Sequence, residues 1–340
     1  MPQEPEEAGD LGWSILLYKK FLADCIRALG EDHPDTLAAR NSLADVYKAA
    51  GDLGRAIPLY EQNLHEALRV RGEDHRDTLT ARNNLARAYQ AAGDLGRAIA
   101  LYEQTLNDSV RVLGEDHPDT LTARNDLVGA YRAAGDFVRA IPLYEQILND
   151  CIRVRGEDHR NTLTARSNLA SAHQEAGEPD QAIRLYEQNL SNCIRVLAEG
   201  HPDTLTARNN LAGACRMGNP GRAIRLYEQN LIDAIRALGE DHRHTRTIRA
   251  YLAIAYEGEG DLGRAIPLYE RNLSDCVRVL GEDHPDTLTA RNSLARTYDL
   301  AGDLGRAIPL YEQMLNDYRR VLGEDHALTR ETAFLLKRIL

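Results

Sequence analysis

The chain repeats itself. A Gly-Glu-Asp-His tetrad or a close variant returns with His33, His75, His117, His159, His201, His242, His284 and His326. The spacing is 42 residues at every step except His201 to His242, where it is 41. A self-similar period of this length marks an array whose units bury their apolar faces only against their neighbours. It overrides the two-domain division that 340 residues would otherwise suggest.

Each unit reads as two helices, A and B. From Thr36 to Ala50 the residues Leu37, Leu43, Ala44 and Tyr47 recur at helical spacing; from Leu53 to about Arg71 a second stripe carries Ile57, Tyr60, Leu64 and Leu68. Gly51-Asp52 breaks the chain between them, with Asp52 a cap for helix B. Gly72 ends helix B, and Asp74 or His75 caps the next helix A. Pro34 and its counterparts fall in the first turn, where a missing N–H costs little. The chain opens on an unpaired helix B over Asp10–Leu29 and closes on an A-like helix over Ala327–Leu340. The expected organisation is a flexible tail over 1–7 and one array over 8–340. That array comprises an unpaired helix B within 8–32, seven full repeats over 33–325 and a terminal A-like helix within 326–340.

Hydrophobic residues make up 43% and charged residues 27%, a globular composition, and the net charge of −11 argues against a nucleic-acid partner. No apolar run approaches the roughly 18 residues a membrane span needs. The acidic start MPQEPEEAGD has no apolar leader core. The expectation is therefore a cytoplasmic protein with no membrane partner. Lys19, Lys20, Lys48 and Lys337 are the only lysines beside a large excess of Arg, which hints at a bacterial source.

The pattern Leu43-Ala44-x-x-Tyr47, then Gly51, Ala56 and Tyr60, resembles the tetratricopeptide repeat. The His-Pro-Asp-Thr-Leu opening and the 42-residue period resemble its kinesin-light-chain variety rather than the 34-residue form. The resemblance covers about residues 8–340. It implies an all-α right-handed solenoid of antiparallel helix hairpins, about sixteen helices, whose A helices line a concave groove that holds protein partners. One departure is Arg where the family carries a bulky apolar residue: Arg40, Arg82, Arg124, Arg166, Arg208, Arg249 and Arg291. Each should bury its stem beside helix B and send its head to a carboxylate, with the Glu61 series a candidate partner.

Nothing points to catalysis, a cofactor or a metal. Histidines one repeat apart are separated by about the 10 Å of helix packing, whereas zinc ligands lie about 2 Å from one ion; helix caps are the plainer reading. Cys25, Cys151, Cys193 and Cys276 share a position with Ala67, Ser109 and Ala234, a small packing site. No phosphate loop, nucleophile elbow, zinc-protease or dinucleotide motif occurs.

Counting Leu37 as slot 1 of helix A, slots 5, 9 and 12 share one face. Slot 5 holds Asn41, Asn83, Asn125, Ser167, Asn209, Ala250 and Asn292. Slot 9 holds Asp45, Arg87, Gly129, Ser171, Gly213, Ile254 and Arg296; slot 12 holds Lys48, Gln90, Arg132, Gln174, Arg216, Glu257 and Asp299. A near-constant amide suits the backbone of an extended peptide, and the varied slots would set side-chain preference. The alternative is that the Asn row bonds neighbouring repeats. Arg87, Arg132 and Arg216 suggest a partner with an acidic stretch. The sixth repeat departs from the others, with Tyr251 and Ile254 on this face. The leading expectation is a non-catalytic scaffold for a peptide segment or protein partner. Alternatives are an array that assembles head to tail through its ends, or the sensor portion of a larger NTPase regulator.

Overall fold

The computed structural model describes residues 5–339, with side chains from residue 11 onward. These residues form sixteen helices and no strand. In chain order they are α1 (Pro5–Leu29), α2 (Pro34–Ala49), α3 (Leu53–Arg71), α4 (Arg76–Ala91), α5 (Leu95–Leu113), α6 (Pro118–Ala133), α7 (Phe137–Arg155) and α8 (Arg160–Glu175). There follow α9 (Pro179–Leu197), α10 (Pro202–Cys215), α11 (Pro220–Leu238), α12 (Arg243–Gly258), α13 (Leu262–Leu280), α14 (Pro285–Leu300), α15 (Leu304–Leu322) and α16 (Ala327–Ile339). This is the all-α repeat solenoid expected: one B, seven A–B hairpins and a last A. Helix α1 already includes Pro5 to Glu7, and residues 1–4 of the expected tail lie outside the described residues. Two compact units divide at Asn149/Asp150, inside α7.

The punctuation has simple causes. The ring Nδ1 of each tetrad histidine accepts the N–H two residues on, from His33 with Asp35 at 3.2 Å to His326 with Leu328 at 3.3 Å. The cap of helix A is thus the histidine and not the aspartate before it. The next threonine ties back to the glycine that closed the previous helix B, as Thr78 Oγ1 does to the Gly72 carbonyl at 2.7 Å. At the start of α3, Asp52 accepts from the Arg55 backbone N–H at 3.1 Å and from its Nε at 2.5 Å. Helix B then ends on a residue of positive φ, which is Gly in every case but Ala198, at φ 74° and ψ 166°. Helix α10 is two residues shorter than the other interior A helices, and Asn219 replaces Asp as the cap of α11.

Inside each hairpin the contact is made by alanines. In the first unit Ala44, Ala56, Ala86 and Ala98 are fully buried; in the second Ala170, Ala182, Ala212, Ala223, Ala253, Ala265, Ala295 and Ala307 are. Small side chains let the helix axes approach closely, and the tyrosines of helix B, such as Tyr60 and Tyr102, fill the space around them.

The slot-4 arginines are fully buried rather than partly so, and their partners correct the expectation. Arg82 meets Asp108 at 2.6 Å, Arg208 meets Asp233 at 2.7 Å, Arg249 meets Asp275 at 2.5 Å, and Arg291 meets Asp317. The Glu61 series is engaged elsewhere: Glu61 accepts the Tyr89 hydroxyl of the following repeat, as Glu103 does that of Tyr131, Glu228 that of Tyr256 and Glu270 that of Tyr298. Burial and that glutamate push the Tyr131 phenol up to about 12, which keeps it a donor. Arg97 stacks on the Tyr89 ring at 4.6 Å, completing a Glu–Tyr–Arg joint between successive repeats.

Candidate functional site

Slots 1, 3, 4, 7, 8 and 11 of helix A pack inward, so slots 2, 5, 6, 9 and 12 form the outer face. The slot-2 row was not among the expected site residues. Thr80, Thr122, Thr164, Thr206, Thr247 and Thr289 are all exposed, with Ala38 in the first repeat. Each is held by a bond to the carbonyl four residues back, 3.0 Å from Thr80 to Arg76. Six identical polar residues at one slot were the signal that could have found it.

The slot-5 amides divide. Asn41 donates to Asp45 at 3.0 Å and accepts from Asn84 of the next repeat at 2.9 Å. Asn83 donates to Asp126 of the next repeat at 2.8 Å, and Ser167 accepts from Asn210 at 3.2 Å. These links join slot 5 of one repeat to slot 6 of the next. Asn125 is exposed and bonds the Leu121 carbonyl of its own helix at 2.9 Å. Asn209 is half-buried with Oδ1 unpartnered among the described residues, and Asn292 is exposed.

The charged and varied slots are likewise mixed. Arg87 pairs with Asp126 at 2.7 Å, so its charge is met within the protein. Gln90 accepts the Tyr102 hydroxyl at 3.0 Å. Arg132, Gln174 and Arg216 are exposed. Glu257 holds Arg296 at 2.8 Å and the Tyr269 hydroxyl at 3.1 Å. Ile254 is half-buried, and the exposed Tyr251 stacks on Tyr227 with centroids 6.0 Å apart. The first unit thus presents Asn41, Asn83, Arg87, Gln90, Asn125 and Arg132; the second presents Gln174, Asn209, Arg216, Tyr251, Ile254 and Asn292.

The thiols of Cys193, Cys215 and Cys276 are pushed above their ordinary value by burial, which disfavours the reactive thiolate. Among the described residues no cluster of three His, Cys, Asp or Glu is placed to hold a metal, and no helix is long and apolar enough to cross a membrane.

Between successive A helices the outer face opens into pockets. One of about 180 Å³ lies between the second and third repeats and includes Arg76, Asn83 and Asp119. One of about 210 Å³ lies between the fourth and fifth and includes Arg160, Ser167 and Asp203. Across their rims Arg76 pairs with Asp119 at 2.9 Å and Arg160 with Asp203 at 3.5 Å.

The tetratricopeptide repeat family model matches residues 9–64, 119–193, 161–231, 203–274 and 244–320, and a second tetratricopeptide model matches 78–119. No curated relative matches the chain. Among solved structures, it is similar to a Podosopora anserina protein described as kinesin light chain with nearly identical TPR-like repeats. Identity there is 29% and the TM-score 0.55, over 61% of this chain and 98% of that one. It is also similar to a Signal Transduction ATPase with Numerous Domains carrying a tetratricopeptide repeat sensor, from Pyrococcus horikoshii. That likeness has 16% identity and a TM-score of 0.58, over 95% of this chain and 46% of that one.

Proposed function

We propose that this chain, which belongs to the tetratricopeptide repeat family, is a non-catalytic scaffold that holds a peptide segment or protein partner against the outer face of its A helices. The observation that carries the reading is a contrast on one helix. Slots that face helix B are occupied by buried Leu, Ala, Arg and Tyr, while slots 2, 9 and 12 remain open to solvent or half-covered, slot 2 almost uniformly Thr and slots 9 and 12 of varied chemistry. Polar residues alone do not hold a partner, but a row of amides, hydroxyls and guanidiniums at regular spacing offers donors and acceptors to an extended backbone. Asn41 and Asn83 tie adjacent repeats and serve as framework as much as surface. Arg132 and Arg216 are exposed on this face, where an acidic stretch of a partner would meet them.

The test is affinity capture followed by mass spectrometry. The Arg132→Glu/Arg216→Glu double variant should lose the captured partner, while Arg184→Glu, on the exposed side of helix B, keeps it. Retention of the partner by the double variant, with circular dichroism unchanged, would sink the reading.

A further inference from the structure

We propose that the pocket between the sixth and seventh repeats is a specific site for a carboxylate carried on an apolar body. It rests on the reading of the A-helix face as a contact surface, but it can fail separately. In the six other full repeats slot 1 is Leu and slot 5 is Asn or Ser; here they are Arg246 and Ala250. Ala250 cannot make the slot-5 to slot-6 bond that Asn41, Asn83 and Ser167 make. The space it leaves belongs to a pocket of about 370 Å³, against 180 and 210 Å³ at the two pockets described above. A pocket of about 420 Å³ between the first two repeats has Asp35 and Asp77 in its lining and no cation.

The sixth pocket has the opposite chemistry. Arg246 lines it while only 7% exposed, and its NH1 donates to a neutral partner, the Asp241 carbonyl, at 3.0 Å. Nearby carboxylates are already engaged: Asp241 by Arg278 at 3.0 Å, and Asp275 by Arg249 at 2.5 Å and by Arg278 at 2.9 Å. Arg243 and Asp286 also line the pocket, at the positions of Arg76–Asp119 and Arg160–Asp203, so its lining holds two guanidiniums against one carboxylate. Arg246 is therefore the unbalanced charge of this pocket. Asn272, 8% exposed, also lines it, and its Oδ1 has no donor among the described residues. Tyr251 and Ile254 supply an apolar wall.

A buried cation calls for an anion, a buried carbonyl oxygen for an N–H, and the wall for an aromatic or aliphatic group. An N-acylated apolar amino acid has all three in one residue: carboxylate, amide N–H and side chain. It can arrive free or as the end of a peptide chain. The experiment titrates the full chain with N-acetyl-phenylalanine, with its carboxamide, and with a pentapeptide ending in Phe as free acid or amide. The acid should bind at least ten-fold tighter than its amide, and Arg246→Leu should remove the difference. That substitution restores the residue of the other repeats, so the fold is kept. Equal affinity for acid and amide, no binding of either acid, or an acid preference that survives Arg246→Leu would each overturn the site. A pentapeptide acid that binds ten-fold tighter than the N-acetyl amino acid identifies a chain end as the source; equal affinity identifies the free acid. If the acids do not bind while the Arg132/Arg216-dependent partner is still captured, the pocket fails and the scaffold reading stands.

Discussion

A guanidinium removed from water costs several kcal/mol unless a carboxylate replaces its hydration. Four repeats supply that carboxylate from helix B, but in the fourth Asn192 stands in the place of Asp108, Asp233, Asp275 and Asp317. The Asn192 carbonyl oxygen accepts from Arg195 at 3.4 Å, its Nδ2 is left unpartnered, and so are both terminal nitrogens of the buried Arg166. Burial holds the Arg166 guanidinium below its ordinary pKa. Asn192→Asp should stabilise the second unit by about 1–3 kcal/mol. A urea transition that does not move to higher concentration would contradict this. Ala198 is a second local fault, holding a backbone conformation that every equivalent position gives to glycine. Ala198→Gly should raise stability by about 1–2 kcal/mol, less than the full relief of strain because glycine gains unfolded-state entropy. An unchanged or lower melting temperature would count against it. Sequence spacing alone reveals both substitutions as departures, yet their cost emerges only when the partners are in place. The same limit explains the slot-5 amides. Whether Asn83 faces a ligand or a neighbour depends on Asp126 at slot 6 of the next helix, and one-helix periodicity does not show that distance.

Helix ends were legible because their chemistry is local. Gly72 and Asp52 mark boundaries that the structure places at Arg71 and Leu53. The start of α1 was not: the Gly9-Asp10 pair pointed to a boundary at Asp10, and the helix runs through it from Pro5. Five helix B caps are aspartates whose carboxyl groups lie below the ordinary range. For Asp52, Asp136, Asp261 and Asp303 the guanidinium of the arginine three residues on is the chief cause; for Asp94 it is the Arg97 backbone N–H. A folded value below the unfolded one gives stability present above about pH 4 and lost as pH falls through the folded value. Asp317 runs the other way, raised by burial, and its burden is relieved by acid. Asp32, Asp74 and Asp241 are lowered by arginine partners as well, so with eight groups against one, acid should weaken the array. Asn219 caps α11 without a charge, accepting the Arg222 N–H at 3.0 Å. Asp261→Asn should therefore melt lower than the native chain at pH 7, with the gap narrowing as pH falls below about 4. A gap independent of pH would show that the charge contributes nothing at this cap.

At the scale of the molecule the period alone dictated the solenoid, because each hairpin has nowhere to bury its faces except on the next. The ends are less simple. In α16 the slot filled by buried Ala44, Ala86, Ala170, Ala212, Ala253 and Ala295 is Lys337, exposed on the helix. A helix B from another copy, docked as in the interior hairpins, would take that ammonium out of water. Lys337→Ala should therefore favour head-to-tail assembly through this face. Sedimentation that shows the same mass for both proteins at high concentration would remove this role for the lysine.

The Glu–Tyr–Arg joint has a consequence for inheritance. Because Glu61 grips Tyr89 as Glu103 grips Tyr131, with Arg97 and Arg139 stacked alike, the seams are interchangeable. A gene with interchangeable seams can lose or gain whole units by unequal recombination, and the shorter product still closes on itself. Excising residues 76–117 sets Pro118 after His75 and brings Tyr131 to the position Tyr89 held opposite Glu61. That chain should fold, with helicity per residue unchanged and a cooperative melt. Excising 76–96 instead removes one helix A, leaves two B helices in succession and should yield aggregates. Array length would then be free to drift between lineages, while the phase of each cut, one full period, would not.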